Sequence, residues 1–261
     1  MRLDLWLTEK GFAESRQKAK ILLSDGKVLI DGRPVTKAAF EMTPEKESTA
    51  EVIGEALPYV SRGGLKLKGA IDGFGLAVSG LTCLDLGAST GGFTDCLLKE
   101  GAKSVIAVDS GTAQLHQSLR ADHRVTVMEN TNARFLTPSD IGTFVDLVVC
   151  DLSFISQTKV YGAVASVLKD GGKFVSLIKP QFEAGREHIG KNGIVRDPKV
   201  YETVRLAIVK EAARFGLICE GIIDSPITGG DGNREFLALF KKALTEEKTN
   251  ETDADPESRE G

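Results

Sequence analysis

A chain of 261 residues, 41% hydrophobic and 27% charged, has room for two unequal soluble domains and holds no apolar run long enough to span a bilayer. Its net charge of −4 argues against a surface that is basic throughout. Residues 244–261, however, hold seven acidic side chains against two basic ones, which leaves the remainder at +1. Any affinity for nucleic acid must then reside in local patches. The acidic tail has almost no apolar side chains and is expected to be disordered. Met1-Arg2-Leu3-Asp4 meets charge at once, and no secretory signal is expected. Cys83, Cys96, Cys150 and Cys219 stand singly in apolar surroundings, which reads as buried thiols in a reducing compartment, the cytoplasm. His188 has no neighbouring metal-ligand pattern, and neither a metal nor a membrane partner is expected.

Residues 1–56 read as two helices and a hairpin. Leu3, Leu7 and Phe12 form the inward face of the first helix, and Gly11 stops it. Ser15 is a natural N-cap for a second helix with Ala19, Leu22 and Leu23 on its apolar face, ended by Gly26. Residues 27–30 and 33–35 flank Asp31-Gly32, a strong hairpin signal, and a further strand is expected at 50–53. Residues 1–40 carry eight basic side chains against five acidic ones, with Arg16 and Lys20 one helical turn apart. By themselves such charges also fit an ordinary solvated helix face. The run RLDLWLTEKGFAESRQKAKILLSDGKVLIDGRPVTK, however, resembles the S4 RNA-binding domain, whose second helix and hairpin grip structured RNA. The resemblance implies RNA contacts from Arg2, Arg16, Lys18, Lys20, Arg33 and Lys37, joined by Arg62 and with Lys27 beside the hairpin.

Leu57-Pro58-Tyr59-Val60 reads as a linker stiffened by its proline. Residues 61–243 then alternate strand and helix. Short apolar runs at 81–86, 105–108, 125–129, 145–150, 174–178, 217–223 and 235–240 are rich in β-branched residues. Helical stretches lie at 93–99, at 160–168 and after Pro198, where Val200, Val204, Ile208 and Ala212 recur at helical spacing. The expectation is an α/β Rossmann-like domain, a mostly parallel seven-stranded sheet with helices on both faces, behind a small α+β domain.

The first of these strands runs into Asp85-Leu86-Gly87-Ala88-Ser89-Thr90-Gly91-Gly92-Phe93, a glycine-rich turn that lets backbone approach a ligand closely. A dinucleotide site asks for G-x-G-x-x-G, and Ser89 stands where its middle glycine admits the pyrophosphate. The acidic-x-G-x-(G/S)-x-G form instead resembles the methyltransferase loop for S-adenosylmethionine, which has no pyrophosphate. Asp85 or Asp151 can meet its ammonium, Asp109 its ribose hydroxyls, and Asn130 and Asn132 its adenine.

Four charged residues sit among apolar or turn-forming neighbours: Lys66 in SRGGLKL, Asp151 in VVCDLSF, Lys179 in LIKPQFE and Glu235 in GNREF. A lysine at a buried strand end is costly unless it is paired or used, and the four also fit two plain ion pairs, Lys66–Glu235 and Lys179–Asp151. They match the K-D-K-E tetrad of the FtsJ/RrmJ-like ribose 2′-O-methyltransferases. With YVSRGGLKL, LDLGASTGGFTD, VDLVVCDLSFIS and GNREFLALF, the chain up to its acidic tail is similar to the hemolysin A (TlyA) family, which joins an S4 domain to this catalytic domain. The resemblance implies methylation of a cytidine 2′-hydroxyl in ribosomal RNA, 23S and in some members 16S, within ribosomal subunits. Lys179 is then the candidate base, acting as the neutral amine, with Asp151 and Glu235 orienting the two lysines. The stretch 181–196, with Arg186, Lys191 and Arg196, reads either as a loop closing on RNA or as plain surface. Competing readings are a non-catalytic ribosome-assembly factor and a membrane-active haemolysin; no spanning or strongly amphipathic segment favours the latter.

Overall fold

The computed structural model describes residues 1–13, 15–53, 57–190 and 193–244. The acidic tail from residue 245 onward, and Lys191, lie outside the described residues. The chain divides into two units, Met1–Arg62 and the remainder from Gly63.

In the first unit, helix Leu3–Glu9 is followed by helix Arg16–Ser24, which starts where Ser15 Oγ accepts from Lys18 N at 3.2 Å. Strand β1 (Val28–Ile30) lies between β2 (Arg33–Pro34) and β3 (Ala50–Val52), antiparallel to both. The hairpin turns on Asp31 and Gly32 with φ of 52° and 70°, the left-handed pair that the right-handed twist of a two-residue hairpin demands. Leu3, Leu7, Ala19, Leu23 and Val28 are fully buried in one core. Phe12 departs from the inward position expected of it. It lies beyond the end of the helix, 42% exposed, with its ring stacked on Trp6, and Trp6 fills the core instead. Leu57, Tyr59 and Val60, read as linker, are buried.

The second unit is built on a sheet of seven strands among the described residues. They are β4 (Thr82–Leu86), β5 (Ser104–Val108), β6 (Val125–Met128), β7 (Val145–Cys150), β8 (Leu168–Ile178), β9 (Leu217–Asp224) and β10 (Phe236–Lys242). Their order is β6-β5-β4-β7-β8-β10-β9; all pairings are parallel except those of β10, which is antiparallel to β8 and β9. Central strands read as unbroken apolar runs because both faces are covered. The four longest helices of this unit are Gly63–Phe74, Gly92–Lys99, Tyr161–Val167 and Pro198–Ala213. Tyr161, Val164, Val204 and Ile208 join strand residues such as Leu86, Val148 and Phe174 in a single core. Among the described residues no helix is long and apolar enough to cross a membrane.

Two features of this topology position a site. The chain leaves β4 toward β5 and β6 on one side, then returns to β7 on the other, which opens a crevice at the carboxyl ends of β4 and β7. Register does the rest. Cys150 pairs with Ser176 on β8, and Ile178 at the end of β8 pairs with Phe236 at the start of β10. Asp151 and Lys179, each one residue after its strand, and Glu235, one residue before its own, are thereby delivered to the same edge.

Candidate active site

Lys179 Nζ lies 2.5 Å from Asp151 Oδ1 and donates to Ser153 Oγ at 2.8 Å. Lys66, in the first turns of helix Gly63–Phe74, donates from Nζ to Glu235 Oε2 at 2.6 Å. That helix comes close enough to do so because it is rich in glycine: a Cβ on Gly69 would stand 2.7 Å from Pro226 Cγ, just past β9. Both lysine side chains are 10% exposed, and Glu235 only 2%. Charges this far from water are stable only in pairs, and removing one partner typically costs about 3–5 kcal/mol. The tetrad thus forms two ion pairs, with both lysines and Glu235 buried and Asp151 partly open.

Beside Asp151 the crevice holds a cavity of about 470 Å³. Of the residues expected around a cofactor, Gly87, Ser89, Asp109, Asn132 and Asp151 line it. Gly87, at φ 83°, is the close-approach point; a Cβ there would stand 2.6 Å from Asp151 O. Ser89 N and Gly111 N donate to the two oxygens of Asp109 at 2.8 and 2.7 Å. Each oxygen keeps a second acceptor site for a ligand hydroxyl.

The other expected cofactor residues stand behind the lining. Asp85 is wholly buried beneath the turn, with Thr94 Oγ1 donating to its Oδ2 at 2.6 Å. Burial pushes its carboxyl up to about 7, against the lowering effect of the Thr94 bond and with help from the negative charge of Asp151. Of the two carboxylates offered for the ammonium, Asp151 is therefore the one that reaches the cavity. Phe93, Gly92 and Gly91 are buried in the turn and helix, where Gly91 meets Leu115, and Thr90 offers its carbonyl to His116 N at 3.0 Å. Asn130 turns its Oδ1 to Thr112 Oγ1 at 2.7 Å and lines a neighbouring hollow instead.

Sequence reasoning missed Ser153, Phe154, Gln114 and Arg134, which also line the cavity. Four non-glycine residues with positive φ, Ser89, Ala113, Asn130 and Phe154, sit in the loops at the carboxyl ends of β4, β5, β6 and β7. Such strain collects where surrounding structure dictates a conformation that the chain would not choose. Glu129 holds one of these loops by accepting from Ala113 N and Gln114 N at 2.9 and 3.0 Å. Phe154 is 88% exposed, with its ring 5.3 Å from that of Phe182.

In the first unit, Arg2 and Arg16 both bind the buried Asp4. Lys20, Arg33 and Lys37 are exposed, Lys18 is half-buried, and Arg62 donates to Asp25 Oδ1 at 3.4 Å. Arg186 and Arg196 are exposed in the second unit.

Two family models match: an S4 domain over residues 1–47 and an FtsJ-like methyltransferase over residues 59–242. The chain is 46% identical to the 16S/23S rRNA (cytidine-2′-O)-methyltransferase TlyA of Mycobacterium tuberculosis, across 92% of this chain and 89% of that protein. It is 40% identical to hemolysin A of Brachyspira hyodysenteriae, across 92% and 99%. A solved structure described as a hemolysin from Streptococcus thermophilus superposes with a TM-score of 0.75 at 43% identity, covering 93% of this chain and 88% of that one. The matched domains and the sheet order agree, and the chain belongs to the FtsJ-like methyltransferase family, with an S4 domain ahead of the catalytic one.

Proposed function

We propose that this protein methylates the 2′-hydroxyl of a cytidine in ribosomal RNA, in the large subunit and in the small subunit as a second substrate, acting on assembled subunits in the cytoplasm. One observation carries the reading: Asp151 faces the cavity and at the same time holds Lys179, so the cavity and the buried lysine meet at one carboxylate. When bound, S-adenosylmethionine supplies a methyl group made electrophilic by its sulfonium. Gly87 keeps the cradle open, Asp109 takes ribose hydroxyls and Asp151 takes the ammonium; Asn132 and Thr131 border the adenine end.

The remaining work is done by side chains. Lys179, in its unprotonated form, accepts the ribose hydroxyl proton; Ser153 Oγ takes one of its N–H groups, and the Asp151 carboxylate 2.5 Å away stabilises the cation that forms. The Lys66–Glu235 pair presents a second amine and carboxylate beside it, fixing the ribose for in-line approach. The S4 unit supplies affinity through phosphate contacts, which position the RNA without reading its bases. The test is methylation of purified ribosomal subunits with S-adenosylmethionine, followed by mass mapping of the RNA. New 2′-O-methylcytidine is the expected product; methyl groups on bases only, or none on either subunit, would reject the reading.

A further inference from the structure

Asp4 is the only wholly buried carboxylate among the described residues of the N-terminal unit, and it sits in the first turn of helix Leu3–Glu9. Two guanidinium groups converge on it. Arg2 donates from Nε to Oδ1 at 3.0 Å and from Nη2 to Oδ2 at 3.3 Å. Arg16 donates from Nε at 3.2 Å and from Nη2 at 2.7 Å, both to Oδ2. Leu5 N adds a bond to Oδ1 at 3.1 Å. Yet the arginines themselves stay 47% and 50% exposed.

A guanidinium carries five N–H donors in a planar fork. Both arginines spend the same edge, Nε and Nη2, on Asp4. Each therefore keeps its Nη1 pair and the second Nη2 hydrogen for a partner in solvent. A carboxylate serving only to join two helices needs one cation; here two share it, which leaves a fixed local charge of +1. Arg16 also opens helix Arg16–Ser24, where the unpaired backbone N–H groups already make the field positive and a cation is unfavourable. Among the described residues the cluster therefore carries one more cation than anion.

The geometry points to Asp4 as the positioning residue of a phosphate clamp, in which Arg2 and Arg16 grip the backbone of the RNA substrate with their outward edges. This rests on ribosomal RNA being the substrate, and it adds a role for a buried acidic residue that a count of basic residues scores as unfavourable. Rotamer entropy explains the value of the device. Two free arginines each lose side-chain freedom on gripping a phosphate, whereas arginines already held by Asp4 have lost much of it during folding. Planar, bidentate presentation also matches phosphate better than two mobile charges do.

The test turns on sign. Asp4→Asn makes the protein one charge more positive, so attraction by overall charge predicts tighter binding to RNA. The clamp predicts weaker binding. Full-length protein with S-adenosylmethionine is titrated with purified large ribosomal subunits over a salt series. Asp4→Asn, Arg2→Ala and Arg16→Ala are each expected to weaken binding about tenfold, with the salt slope reduced by about one per lost phosphate contact. Unchanged or tighter binding by Asp4→Asn overturns the positioning role. Should Asp4→Asn lower the melting temperature of the N-terminal unit, Arg16→Lys decides: it keeps the charge and loses the fork. Several-fold weaker binding supports the clamp, and binding at the wild-type level overturns it. Wild-type protein that does not bind subunits rejects the RNA reading itself, an outcome distinct from either.

Discussion

On the proposed mechanism, Lys179 is the residue whose loss separates chemistry from binding. Its Nζ is held by Asp151 and Ser153, while the cavity lining includes Asp151 and Ser153 but not Lys179 itself. Lys179→Ala is expected to lower the single-turnover rate of methyl transfer at least about a hundredfold while S-adenosylmethionine binding, followed by calorimetry, changes little. A near wild-type rate would assign the proton transfer elsewhere. Asp151, Lys179 and Glu235 stand out in the sequence because a charge beside an apolar strand is conspicuous, whereas Lys66, on a helix, is singled out only by the resemblance to the K-D-K-E tetrad. Ser153 and Gln114 do not stand out, since a polar loop residue looks the same whether it faces a cavity or water. The positive φ values at Phe154 and Ala113, which aim these loops, leave no trace in residue type. Asn130, expected at the adenine from its place past β6, accepts from Thr112 and lines a hollow that shares Thr131 and Asn132 with the cavity.

The element that ties stability to pH is β4 with the turn that follows it. Asp85 ends up beneath that turn, its carboxyl raised by burial to about 7 from an ordinary value near 4. The folded state then keeps a proton that the unfolded chain has already released. Its contribution to stability is fully present below about pH 4, shrinks as pH rises through about 7, and is level above that. Thermal melts of wild type and Asp85→Asn between pH 5 and 8 check this. The wild type is expected to lose more stability over that window than the variant, and parallel curves would refute the assignment. Strand positions were read well from apolar runs, because covered strands have little polar content. The exception is β8, which starts at Leu168 rather than near Phe174; Asp170-Gly171-Gly172 interrupts its apolar signal, and the register against β7 shifts in the same place.

For the whole molecule, the two units have separate cores, one around Leu3, Leu7 and Leu23 and one around Leu86, Val148 and Phe174. Calorimetry of the full chain is expected to show two unfolding transitions, of which saturating S-adenosylmethionine raises only the catalytic one, by about 2.7 kcal/mol at a hundredfold excess over Kd. A single transition that shifts as a whole would mean that the units unfold together. Charge was the least legible property at this scale, since a net −4 conceals an arginine cluster organised by a buried acid. The strand order has a temporal consequence as well. β10 slots between β8 and β9, and Lys66 waits 169 residues for Glu235, whereas the core of the first unit closes within 62 residues. During translation the small S4 unit is complete long before the sheet can close, so on the proposed function a nascent molecule acquires its hold on RNA before it acquires a catalytic centre.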